Sequence, residues 1–335
     1  GTDYDYLAAA GNGVAEVVTA LAPLMDASAA ICTEDDLKVT CTAETAGTPF
    51  TYDANVVDIT APVISSLSFT PSTGTAKIGD VITLNISSDQ IGYAEDAITV
   101  NGEAVSGFTD NLDNTYSVTY TVLAGDDNQS AGIVPASVVL DDGDGNSNSA
   151  YTTVTANTLA IDANAPTLVS AETTSTTTID LTFSEDLNGA TVTNADFAVP
   201  GFTLGTDAFE VSAGVVRLTV TTPFATSDTP DVDYTGSVTD LAGNPAANFL
   251  VFSPDDGLAP VLAEVTPVPT PDNDDTPSYT FSSGEAGDIT VGGDCSLGSL
   301  SAIAGPNSIT FNAIADGVHS NCTVTVTDSS TNASL

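Results

Sequence analysis

The chain has 335 residues, and 45 acidic side chains stand against only Lys38, Lys77 and Arg217, for a formal charge of −42. Such a surface repels nucleic acid and anionic membranes, because almost nothing on it neutralises phosphate. Hydrophobic residues still make up 41 % of the chain and charged ones only 14 %, which is a folding composition, and no apolar run reaches the roughly 18 residues of a membrane span.

The acidity suits high salt or divalent cations, which screen or bind carboxylates. It also serves plain solubility. No signal peptide is visible, and Gly1 reads as a processed terminus or as a boundary of the sequence.

Residues 1–60 hold the one predicted helix. Asn12 caps a segment in which Val14, Val17, Val18 and Leu21 fall at i, i+3, i+4 and i+7, and Pro23 ends it. Strand-like Leu37–Cys41 and Pro49–Ile59 follow.

Residues 61–164 alternate with period two in Val81–Ile86, Ala97–Val100, Tyr116–Val122, Ile133–Leu140 and Tyr151–Ile161. Asn101-Gly102 predicts a hairpin turn, since both residues accept positive φ, and Asn111–Asn114 predicts a second turn. Residues 165–258 repeat the plan, with strands at Ile179–Phe183, Val215–Val220 and Asn248–Phe252. Residues 259–335 repeat it again, with strands at Pro277–Phe281, Asp288–Val291, Ser308–Phe311 and Cys322–Thr327. The pairs Ala61-Pro62, Ala165-Pro166 and Ala259-Pro260 mark the three starts at intervals of 104 and 94 residues. About seven short strands per roughly 100 residues is the content of one Ig-like β-sandwich. The expectation is all-β: tandem Ig-like sandwiches over 61–164, 165–258 and 259–335, behind an N-terminal segment 1–60 with one short helix.

Three phrases strengthen this: Asp-Asp-Gly-Asp-Gly-Asn (141–146), Thr-Asp-Leu-Ala-Gly-Asn (239–244) and Thr-Asp-Ser-Ser-Thr-Asn (327–332). With the Ala-Pro openings, and with Thr-Phe-Ser-Glu-Asp-Leu (182–187), residues 61–335 resemble the bacterial Ig-like repeats of large surface proteins, adhesins and S-layer proteins. The resemblance implies a cell-surface or secreted structural role. It carries fold motifs and no catalytic residues, and it does not extend to residues 1–60.

After the first two of these phrases a final strand follows, at 150–161 and 247–253; after the third come only Ala333, Ser334 and Leu335. The last sandwich is expected to lack its terminal strand. A strand of a neighbouring copy would fill that gap by β-augmentation, and repetition would build a filament; the competing reading is that the chain continues past residue 335. Residues 1–60 show the opposite pattern, a terminal strand without space for a full set of earlier ones.

Cys32/Cys41 and Cys295/Cys322 read as two local disulfides of an oxidising compartment, against a Cys₄ zinc site that has no Cys-x₂-Cys spacing and needs both chain ends to meet. The single histidine, His319, reads as a turn residue, since neither a His-based metal triad nor a Gly-x-Ser-x-Gly elbow accompanies it. Calcium is the one cofactor the sequence suggests. Asp142, Asp144 and Asn146 offer alternate oxygen ligands, with Asp162 as a further one, and Asp58, Asp162, Asp255 and Asp256 sit at the junctions. The competing reading is an Asp/Asn/Gly turn without metal.

The functional expectation is a non-catalytic extracellular structural protein that polymerises with copies of itself. Val14, Val17, Val18 and Leu21 on one side, and Cys322, Val324 and Val326 on the other, would form the contact. The alternative is a stalk or ligand-binding module of a larger adhesin, with host-surface or matrix ligands.

Overall fold

The computed structural model describes residues 30–35, 38–43, 51–55, 60–205 and 208–335. The expected helix, with Val14, Val17, Val18 and Leu21, lies outside them, as does Asp58. The described residues are nearly all β; their only helical structure is two single 3₁₀ turns, Gly189–Thr191 and Asn194–Asp196. The chain divides into two compact units, Gly1–Ala163 and Asn164–Leu335.

In the first unit, Ala30–Asp35, Lys38–Ala43 and Thr51–Asn55 form an antiparallel sheet whose register sets Cys32 opposite Cys41. A sandwich follows. One sheet has the order Ile64–Thr70, Val81–Ser88, Thr115–Thr121, Ser106–Asp110; another joins Ala136–Asp141, Ala94–Val100 and Glu103–Ala104. The last strand, Thr158–Asp162, pairs in parallel with Thr73–Lys77. Period-two alternation explains the core. Ile82, Leu84 and Ile86 from one strand and Tyr116, Val118 and Tyr120 from its neighbour all point inward and are buried. Burying Tyr116 costs little, because its hydroxyl accepts from the Tyr93 N–H and donates to the Gln90 carbonyl, both at 3.0 Å.

The turn at Asn101-Gly102 forms as expected, with φ of 57° and 81°. Two strand limits differ from expectation. Strand Ala136–Asp141 starts only after Pro135, which has no N–H to give a ladder. The stretch from Tyr151 to Ile161 is not continuous. Tyr151 and Val154 make isolated bridges, and Ala156, at φ 50°, turns the chain before Thr158–Asp162.

The second unit holds two further cores. In the first of them Leu168–Ser175, Thr178–Phe183, Val215–Thr219 and Phe209–Ser212 form one sheet, and Phe197–Ala198, Val232–Tyr234 and Phe249–Phe252 the other. Ile179, Leu181, Val216 and Leu218 face inward. On the outer face Arg217 lies opposite Asp180 and binds it through both Nε (2.6 Å) and Nη2 (2.5 Å). The remaining core lies between Leu262–Thr266, Ser278–Ser283, Gly305–Thr310 and Leu300–Ala302, Gly287–Gly292, Thr323–Thr327.

Candidate functional site

The three repeated phrases fold into the same five-residue loop. In each, an Asp and the Asn four residues on are joined three ways. The Asp N–H donates to the Asn carbonyl, the Asn N–H donates to Asp Oδ1, and Asn Nδ2 donates to Asp Oδ2. The side-chain bonds measure 3.0 and 2.7 Å for Asp142/Asn146, 2.8 and 2.8 Å for Asp240/Asn244, and 2.8 and 3.0 Å for Asp328/Asn332. The residue before the Asn takes a left-handed backbone: Gly145 (φ 93°), Gly243 (φ 95°) and Thr331 (φ 73°). Each loop turns the chain back along the strand it has just left. Tyr151 then bridges Val138, Ala246 donates to the Val238 carbonyl, and Ala333 bridges Thr327.

Of the expected calcium ligands, Asp142, Asp144 and Asn146 belong to the first of these loops. Asp142 spends both oxygens on its own loop, and the Asn146 side chain, first among several donors, holds its carboxyl below the usual range. Asp162 lies on a different sheet, where it accepts from Asn128 Nδ2 (3.1 Å). Asp142, Asp144 and Asp162 do not converge as a cluster of three carboxylates.

The third core differs from the other two. After Thr323–Thr327 and its loop, Ser334 exchanges N–H···O bonds with Val326 (Ser334 N–H to the Val326 carbonyl, 2.9 Å; Val326 N–H to Ser334 Oγ, 3.0 Å). Alternation along a strand places the N–H and C=O of Val324 on that same outer side. Beside this edge runs a groove of about 370 Å³ whose lining includes Leu262, Glu264, Val268, Tyr279, Phe281, Phe311, Cys322, Val324 and Leu335. Tyr279 stacks near both Phe281 and Phe311, at 6.0 and 6.5 Å, so the floor is aromatic. Cys322 is bonded to Cys295, which ties the groove wall to the loop after Gly287–Gly292. Of the residues expected at a subunit contact, Cys322 and Val324 therefore line the groove. Val326 does not: it shares a strand face with Val324 but lies two residues further along, where it is fully buried in the core.

A second feature had no signal in local sequence. One carboxylate oxygen each from Asp256, Glu285 and Asp328 lie within 4.8 Å of one another. Asp256 follows Asp255, which is clamped to Leu168–Ser175 by a parallel bridge at Glu172. Gly257 packs so closely there that a Cβ would stand 2.4 Å from the Thr173 carbonyl oxygen. Glu285 occupies the turn between Ser278–Ser283 and Gly287–Gly292 and is only 4 % exposed. Asp328 begins the third loop, whose Asn332 Nδ2 donates to the Asp256 carbonyl (2.9 Å). Burial pushes the Glu285 carboxyl up; the Thr226 hydroxyl works against that, and Asp256 and Asp328 add to it.

His319 lies on an exposed turn, with Nε2 2.7 Å from the Ala315 carbonyl and Nδ1 3.3 Å from Asp294. No helix among the described residues is long and apolar enough to cross a membrane.

The similarity to a known protein family lies in the middle of the chain. Residues 155–253 match the bacterial Ig-like domain. Ig-like domains of this kind occur in bacterial surface proteins, as adhesin-like or structural repeats, and such families are typically non-catalytic. No curated protein matches the chain. Among solved structures, Ig-like chains are found. The titin domains z1z2 in complex with telethonin share 12 % identity over 58 % of this chain and 98 % of that one, with a TM-score of 0.23. The eight N-terminal Ig domains of Down Syndrome Cell Adhesion Molecule share 10 % over 88 % of this chain and 44 % of that one, with a TM-score of 0.28.

Proposed function

We propose that this chain is a non-catalytic, extracellular structural subunit that joins copies of itself end to end, the third sandwich receiving a strand from residues 1–60 of the next copy. The observation that carries the reading is the groove between Leu262–Thr266 and Thr323–Thr327. Its floor is aromatic and aliphatic with Glu264 in its lining, and it lies beside a strand edge whose Val324 N–H and C=O face outward. A donated strand would supply ladder hydrogen bonds for the edge and alternate apolar side chains for the groove, each worth about 1.5–3 kcal/mol on burial. The Cys295–Cys322 disulfide suits an oxidising, extracellular setting and stiffens the acceptor.

Charge shapes the prediction. Copies carrying −42 repel each other, so the contact is apolar and assembly strengthens as salt shortens the Debye length. Sedimentation velocity of the purified chain at rising ionic strength tests this. The chain is expected to polymerise, a version lacking residues 1–26 to stay monomeric, and Val324→Glu to stay monomeric while folded. A monomer at all concentrations and salts would favour the adhesin-stalk alternative, in which the groove is filled from within a longer chain.

A further inference from the structure

We propose that Asp256, Glu285 and Asp328 form a calcium site at the junction of the second and third sandwiches. The reading is independent of the assembly just described, since all three ligands belong to one chain.

Three carboxylates gathered within 4.8 Å need a counter-charge. The described residues of the second unit supply none. Arg217 is the only Lys or Arg in residues 164–335, and Asp180 holds it in a two-bond clamp. His319 is engaged by Ala315 and Asp294. The independent sign of a ligand is Glu285 itself. Its residue is 4 % exposed, yet its Oε1 is buried with no hydrogen-bond partner. Native proteins seldom leave a buried carboxylate oxygen orphaned, and a cation against it removes the anomaly.

The chemistry selects the ion. All the donors are hard oxygens, with no His and no thiolate, which excludes a zinc- or copper-type site. Oxygens about 2.3–2.6 Å from a calcium stand at most about 5 Å apart, which accommodates this spread. The ligands also come from three separate segments. Asp256 is in the linker, Glu285 in the turn after Ser278–Ser283, and Asp328 in the loop after Thr323–Thr327. A bound ion would therefore cross-link the linker to two loops of the third sandwich, beside the hydrogen bond from Asn332 to Asp256 and the contact of Thr226 with Glu285.

The test uses the full chain, stripped with chelator and titrated with calcium chloride at neutral pH by isothermal titration calorimetry. The wild type is expected to bind one more calcium per chain than Glu285→Gln, and Asp256→Asn is expected to lose the same site. Asp96→Asn, which removes an exposed carboxylate elsewhere, is expected to keep the wild-type stoichiometry. Circular dichroism establishes that each variant is folded; should Glu285→Gln fail to fold, Asp256→Asn decides. Equal stoichiometry in the wild type and a folded site variant would overturn the proposal, as would magnesium binding equally well at the same concentrations.

Discussion

At the scale of single residues, burial decides how much each Asp-x₃-Asn loop contributes. Asp240 and Asn244 are 1 % and 0 % exposed, and the Asp240 carboxylate accepts from the N–H groups of Gly243 and Asn244 as well as from Asn244 Nδ2. Asp240→Ala removes the acceptor of buried donors and is expected to cost about 2–4 kcal/mol in urea unfolding. The same change at the more exposed Asp142 is expected to cost clearly less, because water replaces the lost acceptor. Thr331 holds in the third loop the left-handed position that Gly145 and Gly243 hold in the others. A β-branched residue is strained there, so Thr331→Gly is expected to raise stability by about 0.5–1 kcal/mol in the same measurement. The single histidine offers a clean probe. The Ala315 carbonyl, then Asp294, favour its protonated ring and raise its pKa above the ordinary 6.5. Its contribution to stability is present below pH 6.5 and is lost as pH rises through the folded value. An NMR titration of the His319 ring is expected to show the raised midpoint, and Asp294→Asn to lower it. The sequence showed these loops as phrases, because an Asp and an Asn four apart are a local signal. Glu285 gave no signal, since its partners Asp256 and Asp328 are brought to it only by the fold.

At the scale of elements, strands and turns with a period-two pattern or an Asn-Gly signature were readable, as Val81–Ser88, Thr115–Thr121 and Asn101-Gly102 show. Limits set by one backbone angle were not: Pro135 and Ala156 trim the strands around them, and neither breaks the apolar pattern. The Ala-Pro openings and the three phrases pointed to the third sandwich as the one that differs, and the groove lies there. Its residues could not be sorted by sequence alone, because Val324 and Val326 share one alternating run while Val326 is buried and Val324 lines the groove. The third core has few fully buried side chains, so its cross-link matters more. The Cys295–Cys322 bond closes a loop of 27 residues. Replacing both cysteines by serine is expected to cost about 3 kcal/mol in the transition of that sandwich, read by chemical denaturation.

At the scale of the whole molecule, an acidic surface stands beside a groove with an aromatic floor. In the proposed assembly, repulsion between copies would keep chance encounters weak, and a strand seated in the groove would provide the specific contact. The most direct measurement is hydrogen–deuterium exchange of the Val324 amide in monomeric and in assembled protein. Fast exchange is expected in the monomer and strong protection on assembly, as the edge gains a ladder partner. Assembled material in which the Val324 amide exchanges as fast as in the monomer would contradict the proposed assembly.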